Sequence, residues 1–257
     1  MYYSLINSMN RAVVSSYTAR TTAFATATGI TDPTILNALN TFDLGLISNS
    51  LDTKTKAIYP MVGGTSTTCK YNFMDARDLD VAFRLQFNGG ITFSSNGALP
   101  NGTNGFANTY YTPPIGNAGM FFYARTDTNR FECNIGAYNS ASSSQSVIFI
   151  TGESYFSMNS SVFAYVRSPL VQRLGFYAVN RIGNDVTAHY RGGTVTAFAD
   201  KVPTSLPLNL FNRAGSNDLY ALNECAGAGL VENYTISEMN ILKTLIDNLQ
   251  TTLSRAV

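Results

Sequence analysis

Side chains that perform chemistry are scarce in this chain. One of its 257 residues is histidine and three are cysteine: Cys69, Cys133 and Cys225. A Ser-His-Asp site would rest on His189 alone, and no nucleophile-elbow sequence accompanies it. His189 is read as sharing the apolar face of Val186 and Tyr190, which makes it a structural residue rather than a catalytic base. The cysteines are far apart and form no CxxC pair, which excludes a zinc site and a disulfide framework. They read as buried free thiols acting as small apolar side chains. Charged residues make up 13% of the chain, against the usual quarter, and the net charge is +1 with Lys and Arg scattered. No electrostatic footprint for nucleic acid results. No apolar run reaches membrane-spanning length. Met1 to Asn7 has no basic lead, long apolar run or cleavage pattern, so a signal peptide is not expected.

What is present is Asn, Ser, Thr, Gly and aromatic residues in short alternating runs. That mix suits a rigid β protein displayed outside a cell or on a particle, and not a disordered chain. Val81, Phe83, Leu85 and Phe87 alternate with Ala82, Arg84 and Gln86, and Phe131, Cys133, Ile135 and Ala137 alternate likewise, predicting strands with one dry face. Met120 to Ala124, Val147 to Ile150, Val162 to Val166 and Leu174 to Val179 are continuous apolar runs, expected of central strands. Val186 to Tyr190 and Thr194 to Phe198 flank Arg191-Gly192-Gly193 as a hairpin. A long turn-rich segment, read as a loop, lies between Thr92 and Asn117.

Two helices frame these strands. Asp32-Pro33 is a helix start, with a capping carboxylate before proline at the first position, and the apolar spacing predicts a helix to about Asn49. Thr235 and Glu238 have capping-box spacing, with Tyr234 and Met239 at the staple positions. Met239, Leu242, Ile246, Leu249 and Leu253 then make one helical stripe, expected to pack on the sandwich or on the first helix. Residues 1–31, rich in Ser, Thr and Ala, read as an N-terminal arm or attachment segment, with a frayed terminus as the alternative. Residues 32–257 read as the sandwich domain with flanking helices.

Lys56 to Pro113 carries the runs Ala57-Ile58-Tyr59-Pro60-Met61-Val62-Gly63-Gly64, Asp75-Ala76-Arg77-Asp78-Leu79-Asp80 and Gly97-Ala98-Leu99-Pro100-Asn101-Gly102. With the ending from Glu224-Cys225-Ala226 through the capped helix, it resembles a group of tailed-phage structural proteins that carry a concanavalin-like (laminin-G-like) jelly roll. The resemblance covers about residues 32 to 257, and its motifs are structural rather than chemical. It implies a mainly β jelly-roll sandwich located in the virion, with other virion proteins as partners. It also implies a homo-oligomer (a trimer by analogy) and engagement of host surface glycans.

Concanavalin-like folds include glycoside hydrolases, which need two carboxyl groups flanking the scissile bond. In the familiar sandwich hydrolases these lie on one strand as Glu-x-Asp-x-x-Glu. Of the five glutamates here, Glu132, Glu153, Glu224, Glu232 and Glu238, none belongs to such a cluster. No enzyme activity, catalytic residue, cofactor or metal is expected. Asp75, Asp78 and Asp80 around Arg77 read as a turn with local ion pairs, because the ligand spacing of a calcium loop is missing. For carbohydrate the candidates are Tyr110 and Tyr111, beside Asn108 and Thr109, and Tyr138 and Asn139 before a serine-rich turn. A plain strand, loop or protein-interface role is the competing reading for the same residues. Three functions follow in order: a non-enzymatic virion surface protein (spike, fibre or decoration module) that binds glycan, a purely architectural capsid or tail protein, and a glycan-degrading enzyme.

Overall fold

The computed structural model describes residues 17–166, 173–190 and 193–257. Its centre is β6 (Ala118–Ala124), which is buried at every position. The chain alternates faces here, and both faces are covered, which is why the run is continuously apolar. Met120, Phe122 and Ala124 point into a core between two sheets, whereas Phe121 and Tyr123 point the other way, under a layer of helices. Phe122 meets Phe211 edge-on at 6.1 Å, and Phe121 stacks on Phe176 at 5.3 Å.

β6 lies within an eight-stranded antiparallel sheet. Its neighbours are β11 (Gly175–Ile182) and β15 (Cys225–Glu232). Beyond β11 come β12 (Asp185–Tyr190) and the edge strand β13 (Gly193–Phe198). Beyond β15 come β4 (Gly97–Pro100) and β3 (Ile91–Ser94), with β1 (Thr55–Tyr59) also paired to β15. The opposing sheet has seven strands in the order β10 (Ala164–Val166), β9 (Ser154–Ser160), β8 (Ser144–Phe149), β7 (Ile135–Asn139), β14 (Asn209–Leu210), β5 (Phe106–Asn108) and β2 (Gln86–Asn88). Two antiparallel sheets packed face to face, with crossings between them, make the expected concanavalin-like jelly-roll sandwich.

Three helices cover the outer face of the eight-stranded sheet: α1 (Ala19–Thr28), α2 (Pro33–Ser48) and α4 (Ile236–Thr252). A short helix, α3 (Ser66–Cys69), follows β1. Asp32 caps α2, accepting from the Thr34 N–H at 2.8 Å. The capping box of α4 forms as read: the Glu238 N–H donates to Thr235 Oγ1 at 3.2 Å, and the Thr235 N–H to Glu238 Oε2 at 2.8 Å. The stripe Met239, Leu242, Ile246 and Leu249 is buried against Leu39, Phe42 and Leu46 of α2 and against the sheet. After α4, buried Arg255 donates to the carbonyls of Met61, Pro60 and Ala226 at 2.8 to 3.0 Å, and burial lowers its pKa to about 10.

Several expectations are corrected. Residues 17–31 of the expected arm contain α1, whose Phe24 is buried against Phe73 at 5.4 Å; residues 1–16 lie outside the described residues. The alternation from Val81 to Phe87 makes a strand only at its end, where Gln86 and Phe87 enter β2. Asp80–Ala82 is a 3-10 turn, Phe83 is left-handed and Val81 is 73% exposed. Local ion pairs hold that turn: Arg77 to Asp75, Lys70 to Asp78, and Arg84 to Asp78 and Asp80. Such side-chain bonds compete with strand pairing. Phe131 is likewise outside a strand and 55% exposed. The segment read as a loop from Thr92 to Asn117 contains β4 and β5. Asn101 Oδ1 orders the turn between them by accepting from the N–H groups of Thr103, Asn104 and Gly105 at 3.0 to 3.2 Å.

The expected β12–β13 hairpin forms, although residues 191–192 of its turn lie outside the described residues. His189 faces away from Val186 and Tyr190, toward the helices. Residues an odd number apart point to opposite faces of a strand, so the shared face assumed from the sequence cannot hold. Its Nε2 lies 3.0 Å from Asn180 Oδ1, and Asn180 Nδ2 donates to the Tyr234 carbonyl just before α4. The three cysteines are free and buried, as expected.

Candidate functional site on the outer face of the seven-stranded sheet

Phe87, Ala107, Leu210 and Ile135 point into the core. Their strand neighbours Gln86, Asn108, Asn209 and Gly136 therefore point outward. The registers Gln86↔Asn108, Asn108↔Asn209 and Asn209↔Gly136 align them in one row across four strands. At about 4.8 Å per strand the row is about 14 Å long. Gln86 is exposed and Asn108 half-buried, whereas Asn209 is buried, 4% exposed, with its Nδ2 donating to Asn212 Oδ1 at 2.9 Å; Gly136 is buried too, an added Cβ there lying 3.0 Å from Cys133 Sγ and 2.6 Å from the Ser146 carbonyl.

Two tyrosines lie beyond this row, each two residues further along a strand that runs antiparallel to β14. Tyr138 follows Gly136 and is half-buried. The Arg213 guanidinium sits 4.7 Å from its ring centroid, which leaves the opposite ring face for another contact. Arg213 is itself fixed, with Nε and Nη2 donating to the Asp218 carboxylate at 3.0 and 2.7 Å.

Tyr110 follows Asn108 through a bulge. Leu208 accepts from the Thr109 N–H at 3.1 Å and donates to the Tyr111 carbonyl at 2.9 Å, so Tyr110 is the extra residue, with φ 57°. Its N–H donates to Asn108 Oδ1 at 2.7 Å and its hydroxyl donates to Gln86 Oε1, which ties the ring to the end of the row. Partial burial, with the Asp80 carboxylate nearby, raises the Tyr110 phenol above its ordinary pKa.

The other two candidates do not reach this face with free groups. Tyr111 is in the core, edge-on to Phe83 at 5.3 Å, and its hydroxyl donates to Glu232 Oε1 at 2.9 Å. Burial pushes that phenol far up. Asn139 spends its amide on the serine turn, donating to the Thr204 carbonyl and accepting from the Ala141 N–H, both at 3.1 Å. Gln86, Asn209 and Arg213 were not singled out from sequence. They join the face through long-range pairing, which no local pattern signals.

The carboxylates are used locally. Glu232 also meets Lys56 at 3.1 Å, Glu224 lies 3.7 Å from Arg125, and Glu238 serves the α4 cap. Glu132 is fully buried, accepts from the Thr128 hydroxyl at 2.9 Å, and has its pKa raised by burial. Among the described residues no three metal-ligating side chains group together, and no helix is long and apolar enough to cross a membrane. A cavity of about 380 Å³ lies elsewhere, between the start of α2 and the end of α4, lined by Ile35, Val62, Leu253 and Arg255 among others.

At its Gln86–Asn108 end the face presents amide groups at strand spacing beside the Tyr110 ring, while Asn209 and Gly136 are buried. Such a surface can hydrogen-bond hydroxyls and stack against C–H faces.

No family model and no curated protein matches the chain. Solved structures with a similar arrangement include domain 4 of AbnA, an extracellular arabinanase from Geobacillus stearothermophilus, in complex with arabinotriose. It is 11% identical with a TM-score of 0.47, and the match covers 75% of this chain and 98% of that one. A Trypanosoma rangeli sialidase in complex with sialic acid is 10% identical with a TM-score of 0.46, over 63% of this chain and 30% of that one. The carbohydrate-binding module CBM66 from Bacillus subtilis is 10% identical with a TM-score of 0.33, over 57% of this chain and 91% of that one.

Proposed function

We propose that this chain is a non-enzymatic surface protein of a tailed-phage virion, a spike, fibre or decoration module, that binds host surface glycan. The observation that carries the glycan reading is the pair Gln86 and Asn108, in register across the outer sheet face, with Tyr110 and Tyr138 nearby. Such a face suits a chain of sugars lying across the strands better than a single enclosed sugar, because Gln86, Asn108 and the flanking tyrosines belong to different strands rather than to one enclosed cavity. Tyr138 supplies the stacking face. Gln86 and Asn108 supply amide N–H donors for hydroxyl groups, their oxygens accepting from Tyr110.

The virion assignment is supported by the resemblance of Lys56 to Pro113 and of the C-terminal segment to tailed-phage proteins, and by the low charge. Residues 1–16 would attach the domain to the particle. Glycan-array binding of the purified protein tests the binding, and mass spectrometry of purified particles tests the location. Absence of the protein from the particles would refute the virion assignment and leave the glycan reading to its own test. Tight assembly onto particles with no glycan bound would favour a purely architectural capsid or tail protein. Release of reducing ends from host polysaccharide would instead indicate an enzyme.

A further inference from the structure

β13 ends the eight-stranded sheet, and no strand among the described residues pairs with its outer side. The hydrogen-bond parity of this edge can be read from its continuation. Ala199 N–H donates to the Asn184 carbonyl at 2.9 Å, one pair beyond Phe198↔Asp185 in the same register. Bonded and non-bonded pairs alternate in an antiparallel ladder. Val195 and Ala197 therefore spend their main-chain groups on β12, while Thr194, Thr196 and Phe198 direct theirs outward. The same three side chains are exposed, Phe198 by 75%. Ile182, in the same transverse row as Asp185 and Phe198, is 42% exposed.

Edge strands of monomers are blunted by lysine, proline, a bulge or an inward charge. Gly193-Thr194-Val195-Thr196-Ala197-Phe198 has no charged residue, no proline and no shift in its pairing register. We infer that β13 pairs antiparallel with β13 of a second copy across a two-fold axis at Thr196, joining two eight-stranded sheets into one. The register is self-complementary. Thr196 lies opposite Thr196 of the partner subunit, and Thr194 opposite Phe198 of the partner subunit, so the exposed ring covers a small side chain. On the other face Val195 lies opposite Ala197 of the partner subunit. All three outward-directed residues then become narrow pairs, with about six main-chain hydrogen bonds, and no like charges meet. The inference is independent of the glycan reading, because that face belongs to the other sheet. It gives a dimer rather than the trimer implied by the phage resemblance.

Light scattering on the full chain tests it, with a mass near twice 27.9 kDa expected. Thr196→Pro removes an outward N–H and no main-chain bond to β12, only the hydroxyl contact with Thr187, so it should return the mass to one chain with the circular dichroism unchanged. Thr196→Val, which keeps the N–H and loses only the hydroxyl bonded to Thr187 Oγ1, should remain dimeric. If Thr196→Pro fails to fold, amide hydrogen exchange on the wild type decides. Slow exchange at Thr194, Thr196 and Phe198, lost on dilution, supports the pairing. Fast exchange at all three, a monomeric or trimeric wild type, or a folded proline variant that stays dimeric overturns it.

Discussion

His189 ties stability to pH through its burial. The imidazole is 1% exposed beneath α4, and burial pushes its pKa down from 6.5 to about 4. The Asn240 side chain opposes that shift. The charge added with a proton would be buried, and burial outweighs the Asn240 contact, whereas the unfolded chain accepts the proton freely near pH 6.5. For a base whose folded pKa is depressed, stability is intact above 6.5, falls as the pH drops toward about 4, and then levels off. At about 1.4 kcal/mol per pH step the full loss is roughly 3 kcal/mol, with roughly 2 kcal/mol already gone at pH 5.

The assay is urea unfolding at pH 7 and pH 5 of the wild type and His189→Gln. The glutamine amide can keep the bond to Asn180 and does not titrate. Paired carboxylates such as Asp75 and Glu238, whose pKa values are lowered, weaken both proteins alike as the pH falls. The wild type should lose about 2 kcal/mol more than the variant over this interval. Parallel pH dependences, or an imidazole that titrates near 6.5 by NMR, would refute the reasoning.

Three further substitutions probe the scaffold around the face. Thr235→Ala removes the α4 cap while leaving the ion pair of Glu238 with Lys54, and should cost about 1 kcal/mol in urea unfolding. Gly97→Ala should be far more damaging. Position 97 has φ 141°, and a Cβ there would lie 2.0 Å from the Cys225 carbonyl oxygen, so a Tm drop well beyond that of Thr235→Ala is expected. Tyr111→Phe deletes the hydroxyl that donates to Glu232, which also holds Lys56; about 1 kcal/mol of stability should go, with glycan binding unchanged by calorimetry.

The parts of this fold legible in the sequence are those fixed by neighbours along the chain. The Thr235/Glu238 box, Asp32-Pro33 and the apolar runs of β6, β8 and β11 each carry their own signal within a few residues. Val81 to Phe87 has the right alternation, yet ion pairs among Lys70, Arg77, Arg84 and three aspartates fold its first part into a turn ahead of β2, since tertiary and side-chain bonds outweigh periodicity there. The candidate face was legible only in part. Tyr110, Asn108 and Tyr138 stand out as aromatic and amide residues near turns. Gln86 and Asn209 become part of the face only because register aligns residues 86, 108 and 209. Tyr111 shows the converse. It adjoins Tyr110 in sequence, but the bulge at Tyr110 sends the two rings to opposite sides of the sheet.

The glycan reading rests on Gln86, Asn108 and the flanking rings, and binding by matched variants tests it most directly. Wild type, Tyr138→Ala and Tyr111→Phe would be titrated by calorimetry with the bacterial surface polysaccharide that scores highest on an array. Removing the Tyr138 stacking face should weaken binding by at least about tenfold, a loss of roughly 1.4 kcal/mol, while Tyr111→Phe binds as the wild type does. No binding to any glycan on the array, or equal affinities for Tyr138→Ala and the wild type, would contradict the assignment of this face.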